Sequence, residues 1–390
     1  MRAGVLLGVS VLWIPLAFLF DGITVLVLPI RLSGGATNVG LVSFVGLALA
    51  AAAQPIVGWL SDQLRHVLDR RVVAAAAAVP AIAGVWLLIG TVGIAGAVVA
   101  YAVVQIAAAS IQAGQQTLIP EHVRPRLRGR AAGLKAAFDV GGAFVAFLVL
   151  GAVVAAGGLV DAAVATTVVL VVAVVVMLLL VPPRVARPVP RPPIRPLELP
   201  AGLGSLIASR FLFLLATYAV GRFLLLLVAE RLGIPPERAA DEAGGLLALF
   251  TLVTALAAIV FGWLADRFAH QDLMVAGALV AAAGIVVLVP AAGVAGLIAG
   301  GLVMSLGTAA FVTANWAATT LIVPAADAGR LMGVANLGTA MAAAVAGLVG
   351  PLIDLGGFGP ALLVAALISA TAAIPLIATP RRTPSVESPT

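Results

Sequence analysis

Four charged side chains lie away from the ends of long apolar stretches of the sequence, where a charge is costly and points to a function. Asp21 and Arg222 lie in separate stretches, and Lys135 and Asp139 lie one helical turn apart in a third. Ionisable groups inside a membrane-spanning stretch mark solute or ion paths by default. A carboxylate that is alternately dried and wetted takes up and releases a proton. Asp21 and Asp139 are therefore the candidates for proton coupling; the alternative for Asp139 is a local structural pair with Lys135.

Neutral polar side chains form a stripe along each of two other apolar stretches, at 94–118 and 293–321. At about 100° per residue, the members of each stripe share one face of a helix. Such a face lines a water-filled cavity or bonds to neighbouring helices, and both interpretations are open. Tyr218, one turn before Arg222, is predicted to share its cavity-facing side. With these two residues, the predicted solute cavity comprises Tyr101, Gln105, Gln112 and Gln116 from the first stripe and Thr308, Asn315 and Thr319 from the second.

The residue types exclude several kinds of chemistry. The chain has no cysteine, and its three histidines, His66, His122 and His270, lie in polar connections between the apolar stretches. Neither a metal site nor a Cys–His or Ser–His nucleophile can be built within the membrane from these residues. Lys135 is the only lysine, so a phosphate-binding glycine loop with its lysine is not expected. We expect no enzyme activity, no metal, no cofactor and no ATP-driven transport.

The composition predicts that membrane-spanning helices position these residues. Of 390 residues, 63% are hydrophobic and 10% are charged, and the mean hydropathy is +1.20. Soluble domains average about 45–50% apolar and 25% charged residues, so a soluble enzyme and a disordered chain are excluded. A spanning helix needs about 20 apolar residues. The apolar stretches predict twelve spans, at 4–30, 39–60, 72–90, 94–118, 131–156, 160–181, 206–228, 243–264, 273–289, 293–321, 331–353 and 359–378.

A proline-rich segment divides these spans into two sets of six. Residues 182–200 contain eight prolines and four arginines, and proline lacks the backbone donor that a helix requires. We interpret this segment as an extended linker. The predicted organisation is an N-terminal six-helix bundle at 1–181, a cytoplasmic linker at 182–205, a C-terminal six-helix bundle at 206–378 and a cytoplasmic tail at 379–390.

The distribution of basic residues predicts the orientation of the chain. With the N-terminus inside, sixteen basic residues lie in inside segments and three in outside loops, as the positive-inside rule requires. The excess of arginine is explained by this orientation, and no nucleic-acid partner is expected. Arg210 lies near an inner helix end and is expected to extend to the membrane surface. We expect an integral protein of the inner (plasma) membrane with both termini cytoplasmic.

Two short segments repeat at a fixed offset. Gly58 and Asp62 in Gly-Trp-Leu-Ser-Asp correspond to Gly262 and Asp266 in Gly-Trp-Leu-Ala-Asp, 204 residues later, and a proline follows each aspartate by 58 residues. The common register indicates two duplicated six-span halves. The glycines predict close helix contacts, and the aspartates are predicted to cap a helix or to pair with loop arginines.

The repeated segments resemble the signature loop of the major facilitator superfamily, Gly-x-Leu-[Ala/Ser]-Asp between the second and third spans of each half. The resemblance implies an all-α membrane protein with twelve transmembrane helices in two pseudo-symmetric six-helix bundles. It also implies a central cavity lined by spans one, four, seven and ten. Gln63 and Ala269 depart from the family pattern, which has a basic residue and a glycine there. The family's conformational lock would be formed by Gly58, Asp62, Gly262 and Asp266.

The expected function is secondary active transport of a small solute by alternating access, coupled to protons. An uncoupled facilitator and a drug-type exporter are the alternatives within this class. A non-transporting membrane assembly factor or receptor with the same fold is the alternative outside it. The expected partners are a small-molecule solute, protons and the lipid bilayer, and the protein is expected to be a monomer.

Asp21 and Arg222 are predicted to form an ion pair between the two halves. Each lies eight residues before the outer end of its span, which is about 12 Å inward at 1.5 Å per residue. An unpaired charge at that depth costs at least about 2.5 kcal/mol. We expect the two side chains to approach each other in the inward-facing state. The alternative is that each faces a different neighbour.

Cysteine labelling tests the predicted topology, because the chain contains no cysteine of its own. We expect single cysteines at Ser385 and Arg191 to resist a membrane-impermeant maleimide in intact cells, and a cysteine at Gly35 to react. Labelling of the first two from outside, with none at Gly35, would contradict the predicted orientation.

Overall fold

The first half of the chain is helical throughout the described residues. The computed structural model describes residues 3–33, 35–64, 69–124, 127–183, 199–323 and 328–377, and every regular element in these ranges is a helix. The first span consists of α1 (Ala3–Gly8), α2 (Trp13–Ala17), a π-helix (Phe18–Val27) and α3 (Leu28–Arg31). The following helices are α4 (Ala36–Leu64), α5 (Arg70–Gly90), α6 (Gly93–His122) and α7 (Arg128–Leu180).

The second half repeats this arrangement with a different pattern of breaks. Its seventh span is divided at Phe223, and its eleventh is interrupted by a short 3-10 helix (Ala346–Val349). The helices are α8 (Leu203–Arg222), α9 (Leu224–Leu232), α10 (Pro236–Ala265), α11 (His270–Leu288), α12 (Gly293–Ile322), α13 (Ala328–Val345), α14 (Gly350–Gly356), α15 (Phe358–Thr371) and α16 (Ile374–Ile377).

The described helices form twelve spans, as the sequence predicts. Eleven apolar stretches are long enough to cross a membrane, and the longest, Arg130–Leu180, has 51 residues. At 1.5 Å per residue it would extend about 77 Å, more than twice the hydrocarbon thickness of about 30 Å. Gly158 interrupts it with φ 83° and ψ −163°, so α7 contains two spans. The predicted linker and tail lie mostly outside the described residues.

The connections between spans at one end of the bundle share a backbone feature, a glycine with positive φ. We call the end at which α7 ends and α8 begins the linker end, and the opposite end the far end. Six far-end connections join consecutive spans, and each contains one glycine with positive φ. Only glycine adopts this conformation without strain, which is why α7 breaks where it does. These glycines are Gly35, Gly93 and Gly158 in the first half and Gly233, Gly293 and Gly357 in the second.

The two halves touch at the far end through glycine backbones. A Cβ atom added at Gly40 of α4 would collide with the carbonyl oxygen of Gly347. On the other side of the bundle, a Cβ added at Gly151 of α7 would lie 3.1 Å from the Cα of Gly244 in α10. Close backbone approach through small residues is the main packing device of helices in lipid.

A carboxylate reinforces this contact. Asp354 of α14 accepts hydrogen bonds from the backbone N–H groups of Ala36 and Thr37, both at 2.8 Å. These groups begin α4 and have no acceptor within their own helix. Asp354 therefore caps a helix of the opposite half, and its negative charge lies at the positive end of the helix dipole.

At the linker end the helices that carry the repeated motifs are apart. A methyl group added at Gly58 would meet no atom within 4 Å, and one at Gly262 would meet only the Cγ2 of Thr313, at 3.9 Å. Trp59, beside the first glycine, is 61% exposed. The predicted close contacts at the two glycines are therefore wrong for this state, because α4 and α10 end where the bundle is open.

The aspartates of the same motifs are not engaged in a lock that the structure describes. Asp266 is exposed, and α11 begins at His270 without a side-chain cap. The side chain of Asp62 lies outside the described part of the structure. The lock stays a prediction for a state in which the linker end is closed.

Substitution at Gly40 tests the far-end contact. Overpacking costs about 1–3 kcal/mol, and each 1.4 kcal/mol changes an equilibrium tenfold. We therefore expect Gly40→Ala to favour states open at the far end by about tenfold. Labelling of a single cysteine at Ser43, which is buried beside Gly347, should become correspondingly faster. Gly245→Ala is the matched control, because a Cβ atom at Gly245 in α10 would meet no atom within 4 Å, and equal labelling rates in both backgrounds would contradict the contact.

Candidate solute cavity

A cavity of about 740 Å³ lies between the two halves. The first span, α4, α6 and α7 line it from the first half, and α8, α10, α12 and α13 line it from the second. Its lining residues on α4 and α6, at 47–54 and 109–116, lie from the middle of each helix toward the linker end. Because the halves touch at the far end and are apart at the linker end, the cavity is accessible from the linker end.

Asp21 enters this cavity from the π-helix of the first span. Leu28 donates its backbone N–H to Ile23, five residues earlier, which is the wide-helix pattern that often occurs at functional sites. Pro29 follows directly and has no N–H to donate. Gly22 lies against Leu150 of α7, where a Cβ atom would collide with the leucine side chain. Gly22 thus brings the span onto α7 while its neighbour Asp21 is exposed to the cavity.

Arg222 reaches the same cavity from the end of α8. Its side chain is only 6% exposed, and its Nη2 donates to the carbonyl of Ala343 at 3.0 Å. Its Nη1 is buried without a hydrogen-bond partner. The helix is interrupted at Phe223, with φ −105° and ψ 11°, which places Arg222 at a break in the seventh span.

The predicted ion pair between Asp21 and Arg222 is not formed in this structure. Both residues line the cavity, but their charged atoms are not within the 4.0 Å of an ion pair, whereas Lys135 and Asp139 are. The expectation rested on equal depth, and depth does not set the separation across a cavity. The Arg222 guanidinium is held instead by the carbonyl of Ala343 on its own side.

Lys135 and Asp139 form a local pair on the cavity wall. The lysine Nζ lies 3.1 Å from the Asp139 carboxylate and 3.8 Å from the ring centre of Trp13. The lysine thus combines a one-turn ion pair with a cation–π contact. Asp139 lines the cavity, but its charge is already matched by Lys135.

Arg210 is a cavity residue that the sequence placed incorrectly. It does not extend to the membrane surface but is 7% exposed and lines the cavity. Its Nε donates to Thr339 at 2.9 Å, its Nη1 donates to Asn315 at 3.3 Å, and its guanidinium lies 4.4 Å from the ring centre of Trp316. Trp316, which lies within a predicted span, was the available signal in the sequence, because an aromatic ring attracts a neighbouring cation.

The polar stripe on α6 has two different environments. Gln112 and Gln116 line the cavity. Tyr101 and Gln105 do not, because the far-end half of α6 packs against the first span. The Tyr101 hydroxyl bonds with Thr24 at 2.6 Å, and Gln105 donates to the same threonine at 3.3 Å. The far-end part of this stripe therefore joins helices.

None of the members of the stripe on α12 lines the cavity, and only Asn315 joins this helix to another. Asn315 donates to the carbonyl of Leu206 at 3.1 Å, while Thr308 and Thr319 bond to carbonyls of α12 itself. The prediction that these three residues contact the solute is not supported by their positions. Of the predicted cavity residues, those that line it are Gln112, Gln116, Tyr218 and Arg222.

Several polar residues were missed. Gln115 is fully buried, and its Nε2 donates to the carbonyl of Val9, in the break between α1 and α2. It is adjacent to the predicted stripe, but points away from it. Gln54 lines the cavity and donates to Gln112 at 3.1 Å. A single amide in an otherwise apolar span was the only signal for Gln54.

The fold and the cavity define a helical membrane transporter built from two six-span halves. The sequence profile of the Major Facilitator Superfamily matches residues 12–235 and 206–390, and the chain belongs to this family. No curated protein matches the sequence.

Solved structures show the same fold. A bacterial homolog of the human lysosomal transporter Spinster, in an inward-facing and occupied conformation, is 16% identical, with a TM-score of 0.73 over 96% of this chain and 94% of that one. A mutant form of the nucleoside transporter NupG is 12% identical, with a TM-score of 0.75 over 96% of this chain and 99% of that one. At these identities the likeness establishes the fold alone.

The buried tyrosine network gives a stability prediction. Thr24→Val keeps the shape of the side chain but removes the hydroxyl that bonds to both Tyr101 and Gln105, and a lost buried hydrogen bond costs about 1–3 kcal/mol. We expect the melting temperature in detergent to fall by several degrees. Thr308→Val is the matched control, because Thr308 bonds only within its own helix, and it should change little. Equal melting temperatures for both variants would show that the network contributes nothing.

Proposed function

We propose that the protein is a secondary active transporter that moves a small solute by alternating access, coupled to protons. The observation that carries this proposal is a cavity between the halves that is accessible from one end and holds Asp21 and Arg222 without an ion pair between them. Family membership supports transport of a small solute, and the ionisable side chains in the cavity support coupling to protons.

Alternating access requires that the far-end contact opens as the linker end closes. Opening would break the Asp354 cap on α4 and separate the glycine backbones. Closure would bring the two repeated motifs toward neighbouring helices, where Asp62 and Asp266 would act as the lock. We assign the linker and both termini to the cytoplasm because of the arginine distribution, so the observed state is inward-facing. The membrane is then the inner (plasma) membrane.

We assign the coupling proton to Asp21. Its carboxylate is exposed to the cavity and belongs to none of the ion pairs within the described residues. It would be wetted in this state and dried when the linker end closes, which changes its affinity for a proton. Asp139 is the second candidate, but its charge is matched by Lys135. One chain contains the whole pathway, which supports a monomeric transporter.

The test begins with finding a solute. A thermal-shift screen on purified protein detects it, since a ligand at 100 times its Kd stabilises by about 2.7 kcal/mol. Uptake of that solute into liposomes is then driven by an imposed pH gradient. An active uptake that requires the protein distinguishes a transporter from a receptor with the same fold.

Asparagine variants test the coupling assignment. We expect Asp21→Asn to abolish accumulation driven by the pH gradient while exchange of solute across the membrane continues, because the uncharged amide carries no proton. Asp139→Asn is the comparison, and it should retain gradient-driven accumulation. If both variants accumulate solute with unchanged pH dependence, proton coupling through these residues is wrong.

A further inference from the structure

We propose that the solute is an amphipathic organic anion whose negative group binds the free side of the Arg222 guanidinium. The inference rests on the transport function proposed above and names its class of substrate. It is argued from the charges of the cavity, the free donors and the apolar lining.

The charges of the cavity do not balance. Its lining contains two carboxylates and three cations, and Lys135 matches Asp139. Arg210 and Arg222 bond only to neutral groups, which leaves Asp21 as the single carboxylate for two guanidinium groups. A buried charge needs a partner. When Asp21 carries a proton and the cavity dries, a negative solute supplies the partner that Arg222 then lacks.

Arg222 has the geometry to receive that charge. One side of its guanidinium is fixed, because Nη2 donates to Ala343. Nη1 is buried at the cavity wall without a partner. Asp21 lies near enough to interact with the charge of Arg222, and the Tyr101 hydroxyl is within hydrogen-bond reach of its guanidinium, while Nη1 itself has no partner. A held guanidinium with a free N–H is suited to a carboxylate or another small oxyanion.

A second hydrogen-bond donor without a partner lies in the cavity lining, on Trp13, and it also favours a ligand that carries acceptors. Trp13 is 4% exposed, and its Nε1 is also buried without a partner. Both unpartnered buried polar atoms among the described lining residues are thus donors, which a ligand rich in acceptors would satisfy. The rest of the wall near Asp21 is largely apolar and includes Leu16, Phe20, Val25, Leu47 and Phe147. This wall suits an aromatic or aliphatic body.

The charge of the solute determines the direction of coupling. An anion at Arg222 repels an ionised Asp21, so it binds more tightly once Asp21 carries a proton, and the effect is reciprocal. Proton and solute then move in the same direction. A cationic solute would displace the proton and would be exchanged for it. The ionisable groups that face Asp21 are Arg222 and Tyr218 from α8, Tyr101 from α6 and Asp139 from α7.

Matched probes test the charge preference directly. Phenylpropionate and hexanoate are compared with their amides and with phenylpropylamine and hexylamine, by quenching of tryptophan fluorescence in purified protein. Two of the five tryptophans, Trp13 and Trp316, lie in the cavity wall and would respond to a bound probe. We expect the carboxylates to bind at least tenfold more tightly than the amides and the amines to bind least. Amides or amines that bind as well as the carboxylates, or carboxylates that do not bind, would overturn the inference.

Arginine variants locate the binding group. Arg222→Gln should weaken carboxylate binding about 10- to 100-fold, as loss of a charge-assisted hydrogen bond predicts, while amide binding changes little. Arg222→Lys should restore part of the affinity. Arg231→Gln is the matched control, because Arg231 also donates to one backbone carbonyl and has a buried nitrogen without a partner, but lies outside the cavity lining. Equal losses in Arg222→Gln and Arg231→Gln would overturn the inference.

A pH series separates this inference from the transport function. Between about pH 6 and 8 the probes stay ionised, and carboxylate binding should strengthen as the pH falls in the wild type but not in Asp21→Asn. In liposomes, carboxylate uptake should bring protons in with it. Proton-driven exchange of the amines would contradict the anion inference and leave the transporter intact. Carboxylate binding without any flux would contradict the transporter instead.

Discussion

The cavity depends on the backbone contact between the halves at the far end. In lipid there is no hydrophobic force to join two helix bundles, so the contact must come from close packing and hydrogen bonds. Gly40 and Gly347 on one side, and Gly151 and Gly244 on the other, let the backbones approach to a distance that any side chain would prevent. In this structure the halves are joined at the far end and apart at the linker end, and this separation makes the cavity.

The polar groups divide between helix contacts and the cavity. Away from the cavity many bond to one another, as in the cluster of Tyr101, Thr24 and Gln105, in which the Gln105 Oε1 has no partner. Unsatisfied polar groups are costly in hydrocarbon, so such clusters hold helices in place. Toward the cavity the satisfaction is incomplete, because Arg222 keeps a free N–H and Asp21 has no ion pair. Within the cavity lining, the groups without partners are therefore available to a solute and a proton.

The sequence predicts the architecture well because length and hydropathy alone determine which segments span a bilayer. It predicts the site less well, because a polar stripe shows which face of a helix is polar but not which part of that face reaches the cavity. Gln112 and Tyr101 share one stripe, yet only Gln112 reaches the cavity. The closeness of Gly58 to a neighbouring helix depends on the conformational state, which no local pattern encodes. The π-helix that presents Asp21 has no sequence signal of its own beyond Gly22 and Pro29.

The separation of Asp21 and Arg222 explains how strict coupling arises under the proposed function. A dry cavity penalises net charge. Arg210 keeps its charge in every form, so the forms differ only in the charges at Asp21 and Arg222. With both of these residues ionised, their two charges sum to zero and the empty protein can close. A proton on Asp21 alone leaves Arg222 uncompensated, and an anion on Arg222 alone leaves the carboxylate in excess, so both half-loaded forms are penalised. Proton and anion together restore the balance. A fixed salt bridge would make the empty form too stable to accept either, so the two charges must face one cavity without contact in the loading state.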